Sequence, residues 1–107
     1  MKGYLLIDSD KIGEVDFKIT DENMGGIGGQ FLPYDTYKSY QETIQQQCNE
    51  KGISNLDDFN YCILLEDNTE LKPEGGIGIT DINGFDEIYV ESAGLDRETI
   101  EKLKNAL

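Results

Sequence analysis

Asn83-Gly84 separates two runs, 75–82 and 85–91, that are rich in apolar and β-branched residues. A two-residue hairpin turn needs positive φ at its centre, which Asn and Gly tolerate. The dipeptide therefore predicts an antiparallel hairpin and sets its register. Ile82 faces Phe85, Asp81 faces Asp86, Thr80 faces Glu87, Ile79 faces Ile88 and Ile77 faces Val90. Ile77, Ile79, Ile88 and Val90 then share one apolar face. Glu87, Tyr89 and Glu91 alternate onto the other. Directly opposed like charges destabilise a sheet, so Asp81 and Asp86 read as a pair that holds a lysine or arginine of a partner. The competing reading is a solvated tip whose acids point apart.

The rest of the chain is read by period. Tyr4 to Ile7 is a short apolar strand, and 12–19 alternates, with Val15, Phe17 and Ile19 on one face. Together they predict an N-terminal antiparallel hairpin. Residues 21–32 read as a glycine-rich connection, after which Pro33 suits the first turn of a helix. Tyr37, Tyr40, Ile44 and Cys48 fall on one face of that helix, which Gly52 ends. Ser54 to Asp57 matches a capping box and predicts one short helical turn. The continuously apolar 61–65 predicts a central strand covered on both sides. Residues 66–74 form an acidic turn. Asp96 caps a last helix whose buried stripe is Ile100, Leu103 and Leu107. The expectation is one α+β domain over 1–107. Its antiparallel sheet has about five strands, with two main helices packed largely on one face.

Charge narrows the function. The net charge is -13 over 107 residues. Twelve of the acids lie between Asp57 and Glu98, where only Lys72 and Arg97 oppose them. Such a field draws a basic partner quickly, and it also keeps a domain soluble. With a single arginine, direct binding of DNA or RNA is not expected, because phosphates require a positive surface. The chain has no histidine, so it lacks the usual general base and the commonest metal ligand. No catalytic residue, metal or cofactor is expected. Cys48 and Cys62 without histidine make no zinc site. Asp8-Ser9-Asp10-Lys11-Ile12-Gly13 begins like a calcium loop, but Ile12 and Ile19 occupy positions that need oxygen ligands. The first apolar run is too short for a signal peptide, and no stretch is long enough to span a membrane. A cytoplasmic protein with reduced cysteines is expected.

Gly-Gly-Ile-Gly occurs twice, at 25–28 and 75–78. Neither copy has the Lys and Ser/Thr of a phosphate loop or the spacing of a dinucleotide loop. The glycines are expected to permit bends, bulges or close backbone approach. Bare backbone there can also form part of a flat contact surface.

The whole chain, small, acidic and without catalytic histidine, resembles the immunity proteins of contact-dependent growth-inhibition and other polymorphic toxin systems. The stretch Met24-Gly-Gly-Ile-Gly-Gly before a tyrosine-rich helix has the look of that group. So does Glu74-Gly-Gly-Ile-Gly with Asp86-Glu87-Ile88-Tyr89-Val90-Glu91. The resemblance implies a protein that binds a basic toxin domain, a nuclease such as an RNase, and blocks its active site or substrate groove. It assigns no individual residue. The charge pattern nominates Asp81, Asp86, Glu87, Tyr89 and Glu91 as the contact surface, with Asp57, Asp58, Glu66 and Asp67 as second choices. The alternatives are a DNA-mimic inhibitor of a nucleic-acid-binding protein, a small carboxylate-dependent enzyme and an adaptor domain.

Overall fold

Alternation at the N-terminus makes a hairpin of β1 (Lys2–Ile7) and β2 (Asp10–Asp16), turned at Asp8 with φ 55°. Ile12, Val15 and Phe17 are buried. The computed structural model describes residues 1–106. β3 (Lys18–Asp21) continues β2 past Phe17. Val15 pairs with Phe31 and Lys18 with Gly28 in one unbroken register, so β2 and β3 both lie along β4 (Gly26–Pro33). A 3-10 turn at Asp35–Tyr37 leads into α1 (Lys38–Lys51). Then come β5 (Ser54–Asn55), β6 (Tyr61–Leu65), β7 (Glu70–Leu71), β8 (Ile77–Thr80), β9 (Tyr89–Ser92) and α2 (Arg97–Ala106).

The result is an α+β fold with two α-helices and one curled antiparallel sheet of nine strands among the described residues. The order is β5-β8-β9-β4-β2-β1-β6-β7, with β3 on β4. About five strands were expected. The largest omission is β4, which reads as a connection because glycines carry no side chain to show alternation. Ser54-Asn55 pairs with β8 instead of opening a helix, and Glu70-Leu71 forms a hairpin with β6. Pro33 closes β4 opposite Gly13 rather than starting a helix.

The helical faces match their periodicity. Tyr37, Ile44 and Cys48 are buried, Tyr40 is half-buried, and Gly52 caps α1 at φ 87°. Asp96 accepts a hydrogen bond from the Thr99 amide at 2.8 Å, and Ile100 and Leu103 are buried. Leu107 lies outside the described residues. Side chains of both helices join the strands in one core cluster. β6 sits next to last in the sheet rather than at its centre, and only one of its faces is fully buried; Cys62 and Leu64 on the other are half-buried. Among the described residues no helix is long and apolar enough to cross a membrane.

Candidate functional site: an acidic groove floored by glycine

The two Gly-Gly-Ile-Gly copies lie on either side of β9. Ser92 pairs with Ile27 on one flank and Ile77 on the other. Glu91 likewise sits between Gly28 and Gly78. The clamp continues beyond the strand. The Gly94 amide donates to Met24 O at 2.8 Å and the Leu95 amide to Gly25 O at 3.2 Å. On the other flank, the Gly75 amide donates to Ala93 O at 2.9 Å and the Glu74 amide to Gly94 O at 3.1 Å. Gly25 holds φ +64°, and a Cβ there would overlap the backbone of Leu95. The repeat thus serves close backbone approach, one of the roles its glycines allow.

On the outer face, missing side chains let neighbours lie flat. Tyr89 crosses Gly28, where a Cβ would come within 2.6 Å of its hydroxyl. The Ile53 side chain covers Gly78. Beside them runs a groove of about 480 Å³ with Gly26, Gly76 and Gly78 in its lining. Met24 and Leu56 border it and are 66% and 45% exposed. Asp21, Asp57 and Glu91 also line it, and its lining includes no lysine or arginine. Among the described residues none of these three acids forms an ion pair; the pairs involve other carboxylates.

Local hydrogen bonds set the groove's walls. The Met24 amide donates to Asp21 Oδ1 at 3.1 Å, fixing the turn before β4. Across the groove, Asn55 Oδ1 accepts from the Asp57 amide at 3.0 Å, while the Asn55 amide donates to Asp58 Oδ2 at 3.0 Å. This is the reciprocal pattern of a capping box, one residue later than the sequence indicates. Ser54 is buried instead, with its hydroxyl 2.6 Å from both Gln47 Oε1 and the Tyr61 hydroxyl.

Asp58 serves this turn rather than the surface. Lys51 Nζ lies 2.6 Å from its carboxyl and holds it below the usual carboxylate range. A depressed folded-state value stabilises fully above the unfolded pKa, near about 4, and that contribution disappears as pH falls through the lower value. Asp58→Asn is therefore expected to be less stable than the parent at neutral pH and to converge on it in strong acid. Denaturant unfolding at about pH 7 and about pH 2 checks this; an unchanged difference at both would contradict it.

The last hairpin departs from the expected register. Thr80 pairs with Tyr89 and Ile79 with Val90, a slip of two residues on the β9 side. A slip of two preserves the faces. Ile77, Ile79, Ile88 and Val90 are accordingly all buried. Asn83-Gly84 makes a tight turn, with the Phe85 amide donating to Ile82 O at 3.0 Å, but only Gly84 takes positive φ, at 97°, so it is not the turn type that needs positive φ at both residues, and β8 and β9 do not pair up to it. Asp81 consequently does not face Asp86.

Asp81 is 1% exposed, which corrects its expected place on the contact surface. Its carboxyl oxygens accept hydrogen bonds from the Tyr37 hydroxyl at 2.7 Å, Gln41 Nε2 at 3.2 Å and Gln45 Nε2 at 3.1 Å. Its amide lies 3.4 Å from Cys48 Sγ. These donors draw the chain beneath α1 and lengthen the loop. Burial pushes the Tyr37 phenol well above its ordinary pKa, and the neighbouring Asp81 carboxyl adds to the shift. The spacing 37, 41, 45 puts the three donors on one side of the 3-10 turn and α1.

The remaining nominated residues separate into three places. Glu91 and Asp57 both line the groove, with Tyr89 two residues before Glu91 on β9. Asp86 and Glu87 stand exposed in the β8–β9 loop beside Phe85, which is 71% exposed. Glu66 and Asp67 lie in the β6–β7 turn, near the far end of the strand order, and Asp67 Oδ1 accepts from the Thr69 amide at 2.9 Å. Asp21, Met24 and Leu56 escape a reading based on charge runs. Each is unremarkable alone and matters only by its position across the glycine floor. Among the described residues no three His, Cys, Asp or Glu side chains converge as metal ligands. Compared with protein-family models, curated proteins and solved structures, the chain shows no match.

Proposed function

We propose that this chain is an immunity protein of the bacterial cytoplasm that binds and neutralises a cognate toxin domain, a nuclease, through an acidic surface. The observation that carries this reading is the outward face around β9. It joins an acidic groove, with no lysine or arginine in its lining, to exposed Tyr89, and the loop before β9 presents Phe85 with Asp86 and Glu87. A nuclease offers a basic groove for phosphate, so an acidic inhibitor associates by electrostatic steering and excludes substrate. Exposed aromatics supply the anchors that salt does not screen. Inhibition of this kind requires no chemistry from the inhibitor.

A pull-down from the native host at low and moderate salt, with the intact chain as bait, tests the proposal. One basic toxin-domain fragment in near-equal ratio is the expected result. Glu87→Lys/Glu91→Lys is expected to slow its association by about tenfold or more without unfolding the chain, since both side chains are exposed. Retention of nothing at either salt, or an association rate indifferent to the double reversal, would count against it.

A further inference from the structure

We infer that the groove between Met24 and Leu56 receives one arginine side chain from an extended segment of a basic partner. This rests on the inhibitor reading and specifies where the partner docks and with what group.

The groove has the parts such a side chain needs. Its glycines, Gly26, Gly76 and Gly78, leave an open volume of about 480 Å³ on the outside of the sheet. Met24 and Leu56 offer apolar surface along which the methylenes of a long basic side chain can pack. Asp21, Asp57 and Glu91 line it from three different elements: the end of β3, the turn after β5, and β9. A planar guanidinium carries five donors and is weakly hydrated, so it can satisfy carboxylates from several directions at once. A compact ammonium is more costly to desolvate beside two apolar walls. A neutral apolar segment would desolvate the carboxylates with no compensation, and an acidic one would be repelled. Charge and shape together therefore favour arginine.

The probe is a capped pentapeptide, Gly-Ser-Arg-Ser-Gly, titrated into the nitrogen-labelled intact protein, with its citrulline counterpart as control. The amide resonances of Gly26, Gly76 and Gly78 report the groove floor directly. The arginine peptide is expected to move them saturably, and citrulline, which keeps the shape but removes the charge, to bind about tenfold more weakly. Glu91→Gln and Leu56→Ser are each expected to weaken the peptide at least about threefold. The rest of the spectrum shows whether either variant stays folded. The inference falls if the shifts spread evenly over the acids of the 66–69 turn and the 82–87 loop. It also falls if citrulline matches arginine or if neither variant matters. Toxin capture with silent groove glycines would remove the groove assignment and leave the inhibitor reading intact. Responsive glycines without capture would support arginine recognition while removing the toxin as its source.

Discussion

Asp81→Ala is expected to destabilise the fold by about 3 kcal/mol, a large share of the 5–15 kcal/mol typical of a domain. The substitution removes the acceptor of three hydrogen bonds that tie β8 and the following loop to α1. The Tyr37 hydroxyl, buried and aimed at that acceptor, would lose its partner, which costs about 1–3 kcal/mol by itself. Gln41 and Gln45 are half-buried and can turn to water, which limits their share. Tyr37→Phe removes one donor of the three and is expected to cost about 2 kcal/mol. The double variant should cost less than the sum, because both changes break the same contact. Urea unfolding of the four proteins measures this. A difference under about 1 kcal/mol for Asp81→Ala would mean that desolvating the carboxyl cancels its bonds. Asp81→Lys would bury an ammonium against three donors, so loss of partner binding in that variant would report unfolding and not a broken interface.

Gly25→Ala is expected to be the more damaging of two substitutions that both place alanine at positive φ. Gly25 and Gly84 have φ of +64° and +97°. At Gly84 a Cβ meets nothing within 4 Å, so the cost is the backbone strain alone, about 1–2 kcal/mol. At Gly25 the Cβ would strike Leu95 backbone atoms, which cannot swing aside as a side chain does. Relief requires breaking the Leu95-to-Gly25 and Gly94-to-Met24 hydrogen bonds that hold the strand beyond β9. The combined cost is expected to exceed about 3 kcal/mol. For a chain of this size that lowers the melting temperature by about 15 °C, against about 5–10 °C for Gly84→Ala. Equal shifts for the two would show that the close approach at Gly25 carries no weight. Because Met24 leaves the same turn, the damaged variant should also lose the groove's wall.

Periodicity by itself determined much of which residues face inward, although Ile12 is also buried and Ile19 only partly so. Val15 and Phe17, Ile77 and Val90, and Tyr37, Ile44 and Cys48 are buried as their spacing requires. The reason is local: a side chain's face depends only on its position along its own strand or helix, and a two-residue slip does not change it. The acidity of the outer surface is equally a property of composition.

Tertiary structure decided the rest. Asn83-Gly84 makes its tight turn, but three donors on the stretch from Tyr37 to Gln45, about forty residues earlier, claim Asp81, and the strands pair only from Thr80 and Tyr89 outward. The local turn preference is kept, while a long-range network of that kind decides the register of the strands around it. β4 could not be read because its glycines display no alternation; their meaning is the backbone that approaches them. The groove is the clearest case. Asp21, Asp57 and Glu91 are far apart in the chain and line one groove only because β4 and β8, the strands of the two glycine repeats, flank β9 while β3 pairs with β4 and β5 with β8. Charge and face are written residue by residue, whereas a site assembled from separate elements exists only once non-local pairing has placed them together.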